Sequence, residues 1–255
     1  MQITCDINPI RDEDECPIVI HPFIPGIIFA NIRNNHRRSS TYIFSSDGSG
    51  PVPIRLIATN GFKDTRLKLN IPCDINVRRH FPVPWIAIFN GTDKNLTRSE
   101  VISTDGGFSW KKTPSPTFQA VVLNQGGLIF GINSRTKEIY YSFGNDHWYS
   151  LKFGSENEDV EVFTHQSGPP TDYVNLITSV RGIGFSKISH VDFSNVFSMC
   201  EIDYISDRSC ISEDFEIWSI PKELSHGNHR RRILYFRVKP NSFCFVKKSY
   251  YHEDI

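Results

Sequence analysis

The 255-residue chain lacks any apolar run long enough to form a transmembrane helix, which needs about 20 consecutive apolar residues. Its most apolar stretch, Pro17 to Ile32, is broken by three prolines, His21 and Asn31 and reads as strand and turn. A basic start followed by an apolar region, the mark of a signal peptide, is also absent: Met-Gln-Ile-Thr-Cys-Asp runs into the acidic Asp12-Glu-Asp-Glu15. No charge dominates. Lys plus Arg number 28 and Asp plus Glu 28, so there is no electrostatic reason to expect a nucleic-acid partner. Six cysteines, at 5, 16, 73, 200, 210 and 244, are sparse and form no tight pairs; zinc spacing is missing, and neither a metal nor another cofactor is expected. Helical apolar periodicity is scarce. A Ser-His-Asp signature, a phosphate-binding glycine loop and a dinucleotide fingerprint are all missing.

Aromatic and β-branched residues are plentiful, in short runs broken by Gly, Pro, Asn and Asp. That texture predicts an all-β chain. Within it stands Ser103-Thr-Asp-Gly-Gly-Phe-Ser-Trp110, the Ser-x-Asp-x-Gly-x-Ser-Trp pattern called an Asp-box. Each position has a physical task in one hairpin turn. Asp105 can accept hydrogen bonds from backbone N–H groups. Gly106 or Gly107 can take the positive φ such a turn needs. Ser103 offers a hydroxyl to the same turn, and Trp110 opens the returning strand with a large apolar surface. Asp-boxes occur almost only in β-propellers; an ordinary Asp-Gly hairpin beside a tryptophan is the alternative.

Three segments share a layout of strand, polar connection, strand and Asp-box-like turn. Gly26–Ile32 precedes Thr41–Gly48, Trp85–Phe89 precedes Glu100–Gly107, and Gly127–Ile132 precedes Glu138–Gly144 and Trp148. The turn positions Asp47, Asp105 and Asn145 lie about 40 to 60 residues apart, the spacing of four-stranded propeller blades. Only the middle turn is well formed. The others read as decayed copies, or as the hairpins any β-protein carries. From about Asp192 the texture changes, and the region reads as a small appended module held by a disulfide more than by a large core. Asn90-Gly-Thr92 and Asn95-Leu-Thr97 are candidate N-glycosylation sequons, and with an even cysteine count they favour a secretory compartment. His226-Gly-Asn-His229 has no evident third ligand and reads as a solvated turn. Arg230-Arg-Arg232 reads as a solvated strand end or a patch for an acidic ligand.

The C-terminal part resembles the sortilin family, the vacuolar protein sorting ten domain receptors. Their propeller ends in a strand with an Asp-Phe pair. A Cys-x-x-x-Asp-aromatic-x-x-Trp motif then opens a cysteine-rich module, and a basic aromatic strand ending in cysteine follows. The chain has Asp192-Phe193, then Cys210, Asp214, Phe215 and Trp218, then Tyr235 to Cys244. Upstream, Gly26-Ile-Ile-Phe-Ala-Asn-Ile-Arg33 is similar to the strand of a late blade, and Ser103–Trp110 to the family's best-kept Asp-box. One family cysteine falls on Gly227, and Cys200 is additional. A Cys200–Cys210 bridge and a Cys210–Cys244 bridge both fit, and the sequence does not choose.

The resemblance implies an all-β partial β-propeller of Asp-box blades over residues 1–191. The end of the last blade and the beginning of a cysteine-rich module would occupy 192–255. Three or four blades do not close a ten-bladed ring, so the expectation is a piece of a longer receptor, an incomplete gene model or a truncated paralogue. The implied function is non-enzymatic binding of peptide or protein cargo on the lumenal side of the Golgi–endosome system. Membrane association would come only through parts of the parent receptor. The enzyme alternative is a sialidase-like glycosidase, which needs convergent arginines, a tyrosine nucleophile and a carboxylate. The arginines here are scattered.

Overall fold

Runs such as Ile27-Ile-Phe-Ala-Asn-Ile and Leu128-Ile-Phe-Gly-Ile are too short for stable helices and rich in residues that suit a pleated surface. They form the central strands of the sheets. The structure, a computed structural model, describes residues 15–33, 39–45, 50–58, 61–115, 118–133, 135–143, 147–153, 158–165, 173–180, 186–193, 198–201, 204–207, 209–220, 233–240, 242, 244–246 and 253–254. Its internal contacts divide the chain into two units, Met1–Pro116 with Ser219–Arg232, and Thr117–Trp218 with Ile233–Ile255.

The first unit opens with β1 (Ile18–Ile20), β2 (Ile27–Arg33), β3 (Ser39–Ser45) and β4 (Val52–Pro53), an antiparallel meander in chain order. Next come β5 (Arg55–Ala58) and β6 (Gly61–Thr65), then β7 (Leu67–Asn70), β8 (Ala87–Asp93), β9 (Arg98–Ser103) and β10 (Ser109–Lys112). Strands β7 to β10 are a second four-stranded meander. The β5–β6 hairpin joins its outer edge, with β5 parallel to β10 and Leu56 opposite Trp110. A one-turn helix, α1 (Val77–His80), is capped by Asn76, whose side chain accepts from the Arg79 N–H at 3.2 Å.

Phe29, Phe81, Phe89 and Trp110 are fully buried at the centre of this unit. Phe81 meets Phe89 edge-on at 5.4 Å, and Trp110 meets Phe89 at 6.1 Å and Phe29 at 6.4 Å, spacings favoured by the ring quadrupoles. A buried polar relay ties the first meander to the second. Thr41 Oγ1 donates to Asn31 Oδ1 at 2.6 Å and accepts from Leu69 N–H at 2.8 Å, while Asn31 Nδ2 donates to Leu69 O at 2.9 Å. Each buried polar group thus has a partner, which such burial requires.

The second unit begins with β11 (Phe118–Leu123), β12 (Leu128–Asn133), β13 (Glu138–Ser142) and β14 (Tyr149–Lys152), again an antiparallel meander in chain order. All of β12 is buried, whereas β14 is an exposed edge. A Cβ on Gly131 would stand 2.0 Å from the Phe118 ring, so glycine makes room for that ring across the ladder. Then follow β15 (Glu158–His165), β16 (Tyr173–Val180) and β17 (Ser186–Asp192), the hairpin β18 (Ser198–Glu201) and β19 (Tyr204–Asp207), and the sheet β20 (Phe215–Trp218), β21 (Ile233–Val238) and β22 (Glu253–Asp254). One apolar cluster joins Leu123, Phe130, Ile139, Leu176, Phe193 and Phe245.

Three four-stranded meanders, each built from consecutive strands, are the blade unit of a β-propeller. The chain is therefore all-β, with blade-type sheets and two disulfides among the described residues, Cys16–Cys73 and Cys210–Cys244. Among the described residues no helix is long and apolar enough to cross a membrane.

Candidate functional site

The Asp-box octet closes the hairpin between β9 and β10. Asp105 Oδ1 accepts from Ser103 Oγ at 2.7 Å and from Ser109 N–H at 2.9 Å, and its other oxygen accepts from the Ser109 hydroxyl. Ser103 Oγ in turn accepts from Gly107 N–H at 2.8 Å. Trp110 Nε1 donates to Gly107 O at 2.7 Å, so the buried indole leaves no donor unpaired. Gly106 and Gly107 take φ of 76° and 97°, a region open to glycine. Phe29 explains why Gly107 must also be small: a Cβ there would lie 2.2 Å from its ring. Ser103, Asp105, Gly107 and Trp110 thus meet in one turn, and the Gly106 N–H ties it to the Trp85 carbonyl at 3.0 Å. That geometry braces the β9–β10 hairpin. Asp47 and Asn145, the other two turn candidates of the sequence, lie outside the described residues.

Cys210 and Cys244 are bonded to each other, with Cα atoms 4.9 Å apart. Cys200 lies in β18, and its side chain is outside the described residues. Asp214 ends a 3-10 turn (Ser212–Asp214) and accepts from Ile211 N–H at 2.9 Å, and Lys239 N–H donates to the Asp214 carbonyl at 2.9 Å. Phe215 and Trp218 begin and end β20, and Trp218 packs on Tyr235 at 5.6 Å. The motif therefore closes around one disulfide and one strand pair. Donor atoms of Cys210, Asp214 and Cys244 lie within 4.8 Å of one another. Because both sulfurs are in the disulfide, only the Asp214 carboxylate is left with lone pairs suited to a metal. Asn124 secures the same region: its Nδ2 donates to Cys244 O at 2.8 Å and its Oδ1 accepts from Val246 N–H at 2.9 Å.

A second disulfide, Cys16–Cys73, spans 57 residues. No spacing motif marks it in the sequence; the signal is an antiparallel bridge between Glu15 and Pro72 that brings the chains together. Glu15 also gathers Lys68 at 2.8 Å and Arg98 at 3.2 Å. Burial raises its carboxyl, but hydrogen bonds from Lys68 and Asn70 and the nearby cations outweigh that and hold it below the usual range. Asp12 to Asp14, His226, His229 and Arg230 to Arg232 lie outside the described residues.

His21 is the most perturbed base. Its Nδ1 accepts from Phe23 N–H at 3.2 Å and Ile24 N–H at 3.1 Å. The ring is therefore the neutral Nε2–H tautomer. Nε2 faces the Pro84 carbonyl without reaching hydrogen-bond geometry. Burial beside Phe81, 4.7 Å away, pushes the pKa down to about 3 despite that carbonyl. His21 is thus a neutral core acceptor and not a proton carrier near neutral pH.

Tyr140 donates to Glu138 at 2.7 Å. That bond raises the Tyr140 phenol and lowers the Glu138 carboxyl. A tyrosine beside a carboxylate is one part of a glycosidase centre. Here Thr136 is the second hydrogen-bond donor to Glu138 and Lys152 a cation that acts on it, and among the described residues none of its bonds comes from an arginine. Asn90 is exposed on β8. Asn95 is exposed in the turn before β9, where its N–H donates to Asp93 at 2.8 Å.

No family model matches the chain. A vacuolar protein sorting/targeting protein 10 from Talaromyces stipitatus is 29% identical over 60% of this chain and 10% of its own length. The protein of that name from Arthroderma gypseum is 25% identical over 89% of this chain and 16% of its own. The mouse VPS10 domain-containing receptor SorCS3 is 22% identical over 58% of this chain and 12% of its own. The chain thus spans about a tenth to a sixth of the length of these relatives. Among solved structures, a putative TolB from Agrobacterium tumefaciens aligns with a TM-score of 0.32 at 11% identity, over 71% of this chain and 61% of that one; so low a score carries no argument. By sequence, the chain is similar to the sortilin-type vacuolar protein sorting 10 receptors along a segment of their length.

Proposed function

We propose that the chain is a ligand-binding segment of a sortilin-like sorting receptor. It binds peptide or protein cargo on the lumenal side, for transport from the Golgi to the endosome, lysosome or vacuole. The observation that carries this reading is the sequence similarity to vacuolar protein sorting/targeting protein 10, which in one relative covers 89% of the chain. Two disulfides agree with an oxidising compartment. Residues 1–191 are read as late blades, and 192–255 as the end of the last blade and the start of a cysteine-rich module. Asn90 and Asn95 are read as glycan acceptors. Recognition is by shape and main-chain pairing, without covalent chemistry.

An antibody to residues 184–255 tests this in source cells, with and without a glycosidase, under reducing conditions. Lumenal fractionation and recovery of soluble lumenal proteins with the antibody complete the experiment. The expected result is a lumenal band far heavier than the 29.3 kDa of the chain, shifted by deglycosylation and bringing down lumenal cargo. A single unshifted band near 29 kDa in the cytosol would overturn the reading.

A further inference from the structure

The Cys16–Cys73 disulfide ties two apolar walls together. One wall is β1 and the bend after it, with Ile18, Ile20 and Pro22. The other is the segment leading into α1, with Pro72, Ile75 and Val77. Between them lies a groove of about 350 Å³. The walls are fixed without a ligand: the disulfide joins them, Cys16 N–H donates to Ile71 O at 2.8 Å, and Asn76 caps α1. A site set in advance costs a ligand less ordering.

Ile18, Ile20 and Val77 are 44%, 63% and 39% exposed. Single exposed aliphatic side chains are ordinary, but several gathered on one groove point to a binding surface. The lining residues bring no charged, hydroxyl, amide or aromatic side chain. Whatever lies in the groove therefore finds no side-chain partner for a polar group and no ring to stack on, so it is aliphatic. The volume is at the low end of small-molecule sites, about 300–1,000 Å³. It has room for one acyl chain rather than the paired chains of a phospholipid.

Charge enters at one end. Val77 opens α1 and Arg78 follows it, exposed and without an ion-pair partner among the described residues. Helical geometry sets Arg78 about 100° round from Val77, beside the groove, and Arg79 about 200° round, on the far side. A guanidinium in that place complements a carboxylate at the end of a chain lying between the walls. Asp74 stands between the lining residues Cys73 and Ile75 but does not itself line the groove.

We propose that this groove binds a free straight-chain fatty acid, its alkyl chain between β1 and the Pro72–Val77 segment and its carboxylate on Arg78. Such a site stands whether or not the chain belongs to a receptor.

The test is calorimetric titration of the full chain with the straight-chain acids from hexanoate to hexadecanoate, each below its micelle concentration. Affinity should rise about two- to fourfold per added methylene, as burial of that group allows, and then level off once the groove is full. Arg78→Gln should weaken decanoate about two- to fivefold, the range of an exposed ion pair, and leave decanol unchanged. Arg79→Gln should alter neither. Ile20→Asn should weaken both ligands about fivefold or more. All three residues are exposed, and unchanged melting of the variants would show that the fold is intact; the chain-length series needs no variant. Bound decanoate should also slow thiol reduction of Cys16–Cys73 severalfold, read by alkylation and peptide mapping, and leave Cys210–Cys244 unaffected, which locates the ligand.

Absence of saturable binding, affinity that climbs unbroken to hexadecanoate, or decanoate binding untouched by both Arg78→Gln and Ile20→Asn would overturn the proposal. Equal reduction rates with and without decanoate would do the same. Flotation of the chain with phosphatidylcholine–phosphatidylserine vesicles, without binding of the monomeric acids, would make a membrane the occupant. A dimer, seen by sedimentation, that Ile20→Asn dissolves and decanoate does not would make it a second copy.

Discussion

Gly107→Ala tests how the Asp-box turn is fixed. At φ 97° an added Cβ is strained whatever the surrounding space, at about 1–2 kcal/mol. The methyl would also lie 2.2 Å and 2.5 Å from two atoms of the Phe29 ring. That ring is fully buried, with Trp110 at 6.4 Å and Phe81 at 6.3 Å, so it has nowhere to swing, and overpacking adds about 1–3 kcal/mol. The sum, about 2–5 kcal/mol, is a large share of the roughly 5–15 kcal/mol typical of a domain. Urea unfolding followed by tryptophan fluorescence measures it. Phe29→Leu alone should destabilise by about 1 kcal/mol or more through the cavity it leaves. Combined with Gly107→Ala it should recover about 1–3 kcal/mol of the steric part, and a double-mutant cycle isolates that coupling. The φ cost should persist in the double variant. A Gly107→Ala variant within about 0.5 kcal/mol of the parent, or a cycle with no coupling, would refute the packing argument.

Three further outcomes follow from the same geometry. His21 has a folded pKa of about 3 against 6.5 for the free group. Its share of stability is therefore present above pH 6.5 and is lost as pH falls towards 3. From pH 7 to 5 the loss is about 2 kcal/mol, and His21→Asn should flatten that part of the urea-midpoint profile; an unchanged slope counts against a neutral buried ring. Reduction of Cys16–Cys73 or Cys210–Cys244 should each cost about 4 kcal/mol on the loop-entropy model, and peptide mapping without reduction should recover those two pairs even after Cys200→Ala. Asp105→Ala should destabilise by about 2–3 kcal/mol through hydrogen bonds lost from a charged acceptor, with Asp105→Asn intermediate; equal stability of all three forms would show that the carboxylate does not hold the turn.

What could be read from the chain alone was what is local in it. The turn at Asp105 is specified within eight residues, because acceptor, glycines and indole all act on one hairpin. The central strand pairs β2–β3, β8–β9 and β12–β13 fall where short apolar runs stand between turn residues. What could not be read is what depends on distant partners. Cys16 finds Cys73 because Glu15 bridges Pro72, and nothing near either cysteine announces the other. Asn124 looks like any turn asparagine, yet its side chain holds Cys244 and Val246, more than a hundred residues on. The strand Arg55–Ala58 does not extend the first meander but pairs parallel with β10 in the second. Period-two patterning says that a strand has a buried face, not which sheet supplies the neighbour. The same limit applies at β1. Nothing in the sequence marks the apolar residues Ile18 and Ile20 as exposed, and only the structure shows them 44% and 63% exposed on β1.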